Sequence, residues 1–250
     1  MFILAAIMRL PLKINRNVLA LSILIGATQF FANFNFVYRS EYYITSGLVA
    51  VCFALLMIHN AIMGRFLLGE AINRNFIIGS AIACVGVSFL FIQEYRASGL
   101  PLNTILLGIG FAMMGIISAS IANIAQAVER AKSVPLVTLL AWSMLWGSLL
   151  DGLYALVFYG PPVIEERATY LIGIAYLAII GSVATFPLYF GLVRNIGAGR
   201  AAYTGVAVPI IAMIFSTIFE DYQWSLLAGA GAFLALFGLL VAMQARRPKR

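Results

Sequence analysis

The stretch His59 to Gly79, HNAIMGRFLLGEAINRNFIIG, decides the fold: one apolar helix ends, a short charged turn follows, and a second apolar helix begins. A faint copy lies 150 residues on, from Pro209 to Gly229, PIIAMIFSTIFEDYQWSLLAG. With Glu70 set over Glu220, the next glycine falls nine positions later in both copies, at Gly79 and Gly229. A helix-turn-helix unit built twice in an apolar chain points to a duplicated membrane fold, and duplicated membrane folds commonly carry solutes.

The rest of the chain supplies the solvent for such a fold. Of 250 residues, 63% are hydrophobic and 10% charged, too few charges to coat a water-soluble globule of this size. Several apolar runs exceed the roughly 18 to 20 residues with which a helix rising about 1.5 Å per residue crosses about 30 Å of hydrocarbon. The runs are continuous and lack dyad alternation, so helices rather than a barrel are expected. The net charge, 16 − 9 = +7, does not signal nucleic acid, because no basic run is interleaved with aromatics as a stacking platform requires. Cys52 and Cys84 fall inside apolar runs and His59 is the only histidine, so neither a disulfide framework nor a metal site is expected. No GxxxxGK loop is present to hold a nucleotide. No cofactor is expected.

Taken in order, residues Met1 to Leu12 form an apolar run of about 12, which reaches roughly 18 Å as a helix and falls short of a crossing. The basic residues Lys13 and Arg16 follow this run instead of preceding it, unlike a signal peptide. It reads as the tail of a transmembrane helix. Eight further spans follow, approximately 18–37, 43–66, 75–93, 102–125, 134–159, 169–193, 201–219 and 223–244, with Pro101, Pro135 and the Pro161-Pro162 pair at helix edges. The expectation is an all-α polytopic membrane protein of about nine transmembrane segments, one of them partial. No linker is long enough to separate soluble domains.

Lys and Arg test the count. Arg9, Lys13, Arg16, Arg65, Arg74, Arg130, Lys132, Arg194, Arg200, Arg246, Arg247, Lys249 and Arg250 fall on one side, and Arg39, Arg96 and Arg167 on the other. Thirteen against three places the first side, with the C-terminus, in the cytoplasm, since one missed helix would scramble the alternation. By that count Met1 lies across the membrane or within it, where a free amino terminus is costly, so a preceding helix is expected.

With that helix restored the layout is ten spans in two five-helix halves. Together with SGLVAVCFALLMIHNAIMGRFLLGEAINRNFIIGSAIACVGVSFLF (46–91) and GSVATFPLYFGLVRNIGAGRAAYTGVAVPIIAMIFSTIFEDYQWSLLAGAGAFLALFGLLV (181–241), it resembles the EamA-type permeases of the drug/metabolite transporter superfamily. The matching segments cover less than half of the chain, and Glu220-Asp221 replaces the Gly-Glu ending seen at Gly69-Glu70. The resemblance implies a ten-helix, inverted 5+5 repeat with residues 1–96 in the first repeat and 97–250 in the second. It also implies a substrate cavity between the halves.

Two ionisable groups lie at depth. Asp151 sits well inside its span, and His59 inside another. Charged groups at depth cost on the order of 2.5–3.5 kcal/mol on insertion scales, so they tend to face a wet cavity or a partner. Either is therefore a candidate proton carrier, Asp151 the stronger. The structural alternatives are a partly hydrated Asp151 near the outer mouth and a neutral His59 bonded between helices. The two occupy opposite leaflets, which argues against a direct pair.

Polar side chains within spans are the second class of candidate. Gln29 and Asn33 share a face at i, i+4, Asn123 and Gln126 at i, i+3, and Ser182, Thr185 and Tyr189 form a stripe. Each face either lines a cavity or bonds a neighbouring helix, a contact worth only about 0.6–2 kcal/mol. Asn33, Asn60 and Asn123 are the preferred cavity residues. Pro187 and Pro209 lie inside spans and would free the carbonyls of Val183 and Gly205. Broken helices mark sites or hinges in transporters, and Pro209, which matches His59 in the repeat, is the better candidate. Trp142 and Trp146, one turn apart, stack on a solute or simply pack. Gly79, Ala83 and Gly86, with Gly231 and its neighbours, are small-residue faces for close helix packing.

The expected substrate-binding set is thus Gln29, Asn33, His59, Asn60, Asn123, Trp142, Tyr189 and Pro209, with Asp151 for proton coupling. The expected function is secondary transport of a small organic metabolite or drug across the cytoplasmic membrane. An intramembrane hydrolase would need a base near a serine; only His59 could serve, it lies in the inner leaflet, and Ser182 and Ser118 have no nucleophile motif around them. A non-transporting scaffold remains the other alternative. The expected partners are the lipid bilayer and a small-molecule solute, with a homodimer as an open option and no nucleic acid.

Overall fold

The chain's computed structural model describes residues 1–69, 72–161, 165–201, 207–219, 222 and 224–244. In the turn that organises the sequence, the first helix stops at Gly69, whose left-handed φ of +70° suits a residue without Cβ. The next begins at Arg74, capped by Asn73, whose side chain accepts the Asn75 N–H at 3.2 Å. Glu70, and likewise Glu220 and Asp221 in the second copy, lie outside the described residues.

Eight longer helices follow a short one at Phe2–Ile7. They are α1 (Arg16–Glu41), α2 (Ser46–Leu68), α3 (Arg74–Ser98), α4 (Leu102–Ala127), α5 (Leu136–Phe158), α6 (Ala168–Ile196), α7 (Ala207–Phe219) and α8 (Leu226–Gln244). Single turns at Glu129–Lys132 and Ala198–Ala201 complete the order, and no strand occurs among the described residues. Six of the helices, α1 to α6, are long and apolar enough to cross a membrane. Large apolar side chains stand in the open along them, among them Ile172, Tyr176 and Leu188 on α6 and Leu153 and Val157 on α5. Lipid, not water, is the solvent such surfaces need. The protein is an all-helical, multi-pass membrane protein.

Three helices are irregular inside. In α1 the stretch Gly26–Asn33 is π-helical, and in α6 the stretch Leu177–Ala184 is too. In α6 the hydroxyls of Ser182 and Thr185 bond carbonyls five residues back, those of Leu177 (3.1 Å) and Ile180 (2.8 Å). Pro187, which has no N–H to give, follows one turn later. The two wide stretches start 151 residues apart. α2 instead tightens at its middle. There the N–H groups of Ala54 and Leu55 bond the carbonyls of Val51 and Cys52, three residues back, and His59 and Asn60 follow directly.

The helices group into two units, each drawing on both halves of the sequence: Met1–Ala32 with Ile121–Gly197, and Asn33–Ser120 with Ala198–Arg250. In the first, α1 and α5 cross at glycines. A Cβ on Gly147 would meet Phe30 Cβ at 2.4 Å, and one on Gly26 would meet the Ser143 carbonyl at 2.5 Å. The extended segment before α1 lies along α5, where Thr138 Oγ1 donates to the Pro11 carbonyl and Trp142 Nε1 to the Leu12 carbonyl, both at 3.0 Å.

In the second unit the small-residue faces expected of Gly79, Ala83 and Gly86 meet those of α8 directly. Gly79 faces Ala242, Gly86 faces Gly231 and Ala235, and Gly238 faces Ala83. Beside this pair the first turn of α2 joins α7, with the Gly47 N–H donating to Ser216 Oγ at 2.9 Å. Leu48, Val51, Leu90, Ile105 and Met213 fill the core between these helices.

Candidate functional site

The first unit gathers three of the polar residues singled out in the sequence. Asn123 and Gln126 lie one turn apart at the end of α4, 1% and 0% exposed. Tyr189 on α6 brings its hydroxyl beside Asn123. Gly191 on α6 faces Leu136 at the start of α5, where an added Cβ would make ordinary contact, 3.8 Å from Leu136 Cδ2.

Arg194, five residues beyond Tyr189, completes the cluster. Its Nε donates to Gln126 Oε1 at 3.3 Å and its Nη1 to the Val134 carbonyl at 2.9 Å. The remaining guanidinium nitrogen, Nη2, is buried without a hydrogen-bond partner, as is the Gln126 amide nitrogen. Glu129, three residues beyond Gln126, bonds Lys132 at 2.8 Å. Sequence reasoning assigned Arg194 to the cytoplasmic flank and missed this placement. A spacing of five from Tyr189 shares no face of an α-helix, so no local pattern marked it.

The other expected residues of this unit lie elsewhere on α1 and α5. Gln29 is buried within the π-helical stretch that ends at Asn33. Trp142 is occupied by the Leu12 carbonyl and an edge-on contact with Phe2, ring centroids 5.6 Å apart. The Trp146 indole N–H is buried without an acceptor. Asp151 is half-buried on α5. One turn further on the same helix stands Tyr154, which packs against Phe31 and Phe158.

The second unit holds the remaining expected residues. Asn33 donates to the Gly115 carbonyl at 2.9 Å, and Asn60 accepts from Ser120 Oγ at 2.8 Å. Ser120 was not singled out in the sequence. Both bonds tie a neighbouring helix to α4 through atoms that are nearly or fully buried. His59 keeps its Nδ1 within 3.2 Å of the Leu55 carbonyl of its own helix. Pro209 belongs to α7; its ring and the Gly205 carbonyl lie outside the described residues. Cys52 and Cys84 are free thiols.

Chemically, the described residues offer buried amides, hydroxyls and one guanidinium, and no assembled nucleophile and base. A few convergent polar groups in an apolar surround are the usual make-up of a small-molecule site.

Comparison with known proteins bears on the family. A family model described as the EamA-like transporter family matches residues 106–244. An uncharacterized transporter of Bacillus subtilis is 21% identical over 199 residues, 80% of this chain and 67% of that one. An uncharacterized transporter of Archaeoglobus fulgidus is 27% identical over 214 residues, 84% and 72% of the two chains. A probable amino-acid metabolite efflux pump of Salmonella typhimurium is 21% identical over 233 residues, 90% and 77%. One solved crystal structure shares the fold with a TM-score of 0.65 at 16% identity, covering 95% of this chain and 79% of its own.

Proposed function

The chain belongs to the EamA-like transporter family, and from that premise we propose that it is a secondary active transporter moving a small organic metabolite or drug across the cytoplasmic membrane by alternating access. The observation that carries the mechanism is the pair of π-helical interruptions. They start at Gly26 and Leu177, 151 residues apart, in a chain whose own sequence repeats at a spacing of 150. A local defect in the hydrogen-bond ladder that recurs at the repeat spacing supports a duplicated fold of residues 1–96 and 97–250, with corresponding helices able to exchange roles as the halves rock.

The C-terminus is cytoplasmic in this reading, from the thirteen-to-three distribution of basic residues. Gln29, Asn33, His59, Asn60, Asn123, Trp142, Tyr189 and Pro209 are the proposed solute contacts. Asp151, half-buried in mid-helix, is the proposed proton carrier. The name of the Salmonella typhimurium relative, a probable amino-acid metabolite efflux pump, makes amino acids the first solutes to test and export the first direction.

The experiment is a flux screen in proteoliposomes containing the purified chain, with amino acids, amines and other small metabolites, under an imposed proton gradient. Flux of a defined solute above that of protein-free vesicles is expected. A folded, correctly inserted protein that moves none of them would instead be a membrane scaffold.

A further inference from the structure

The cluster at the ends of α4 and α6 is rich in donors, the Arg194 guanidinium and the Gln126 amide foremost among them. Nε and Nη2 form one edge of the planar guanidinium. The Arg194 edge turned toward Gln126 therefore carries a buried N–H without an acceptor, next to a Gln126 amide nitrogen in the same condition. Buried donors are nearly always paired, and a pair of orphans on bonded neighbours calls for a reason. Among the described residues none accepts from Arg194 Nη2 or the Gln126 amide nitrogen. Glu129 is engaged with Lys132, and Glu165 with Arg167.

We infer that Arg194 and Gln126 receive the carboxylate of the transported solute, which makes small monocarboxylates, amino acids among them, the substrate class; this rests on the transporter reading above. Two N–H donors on adjacent groups match the two oxygens of a planar carboxylate, and the single guanidinium charge matches a monoanion. Asn123 lies one turn before Gln126 on α4 and Tyr189 five residues before Arg194 on α6, where they meet the rest of the solute. The closed packing of this conformer seals the donors from solvent, so the solute enters as the helix ends part.

The test uses the full purified chain in detergent and reads binding by tryptophan fluorescence. The probes are propionate and L-leucine against propionamide and L-leucinamide, which lack the carboxylate. The carboxylates bind and the amides do not. Arg194→Gln weakens binding about 10- to 150-fold, the range for losing a charge-assisted hydrogen bond. Gln126→Glu sets a fixed carboxylate against the guanidinium. It abolishes propionate and leucine binding while keeping or raising the melting temperature, which separates an occupied site from an unfolded one.

The inference is overturned by carboxylates and amides binding alike, or by carboxylate binding that survives in both variants. It is equally overturned by absence of carboxylate binding, including the case where inorganic phosphate or phosphatidylglycerol nanodiscs shift the fluorescence instead. Flux is measured separately. Vesicles that move only carboxylate-free solutes keep the transporter reading and sink this site. Carboxylate binding lost in Gln126→Glu, with no flux of any solute, keeps the site and sinks the transporter reading.

Discussion

Gly86 on α3 offers the sharpest test of the packing that holds the second unit together. A Cβ at this position would stand 2.2 Å from the Ala235 amide nitrogen, 2.6 Å from the Gly231 carbonyl oxygen and 2.8 Å from Ala235 Cα. Ordinary contact begins at 3.4 Å, so the nearest approach is short by 1.2 Å. All three atoms are backbone, and no side chain can swing aside. Gly86→Ala must push α3 and α8 apart along a seam that Gly79 and Gly238 also hold closed. Overpacking of this kind costs about 3 kcal/mol, the upper end of the usual range, and the better helix propensity of alanine returns about 1 kcal/mol. The net loss of about 2 kcal/mol lowers the melting temperature by roughly 4–8 °C. Gly152 on α5 has no atom within 4 Å of its Cβ position, so Gly152→Ala gains about 1 kcal/mol from propensity alone. Thermal unfolding of the two variants in one detergent decides the matter. Equal stabilisation by both would refute the close approach of α3 and α8.

Ser216→Ala removes the acceptor for the buried Gly47 N–H and should cost about 1–3 kcal/mol, read in the same melts; an unchanged melting temperature would show that another acceptor takes over. Trp142→Phe keeps an aromatic ring against Phe2 but deletes the bond to the Leu12 carbonyl. A loss of about 0.5–1.5 kcal/mol should appear as faster hydrogen exchange confined to the residues before α1. Asp151→Asn should leave solute exchange intact while removing the pH dependence of gradient-driven flux, and an unaltered pH profile would end its role as proton carrier.

What hydropathy reports and what it omits explain which parts of the molecule were legible. The spans expected at 102–125 and 134–159 appear as Leu102–Ala127 and Leu136–Phe158, because lipid demands unbroken apolar runs and Pro101 and Pro135 mark their starts. The first span was drawn short, at 18–37, whereas α1 runs from Arg16 to Glu41. Asn15 caps it with a bond from the Val18 N–H at 2.9 Å, and its charged last turn still satisfies helix geometry. The small residues of α3 and α8 were readable because a face of glycine and alanine has one physical use.

The π-helical stretches were not readable, since composition carries no information on whether a carbonyl is bonded four or five residues on. The site was half visible. Asn123, Gln126 and Tyr189 were noticed as polar groups in apolar runs. Arg194 looked like an ordinary flanking charge until the Val134 carbonyl and Gln126 were seen to enclose it. Asn60 likewise found its partner, Ser120, 60 residues away, a distance no local pattern spans.

The central claim, transport by alternating access, is tested most directly by counterflow. Proteoliposomes holding the chain are loaded with an unlabelled solute taken from the flux screen and diluted into a trace of the labelled one with all ion gradients collapsed. A carrier whose site faces one side at a time draws label in transiently above its external concentration and then releases it. That overshoot is the predicted result. Label that only equilibrates, or enters no faster than in protein-free vesicles, would contradict the account.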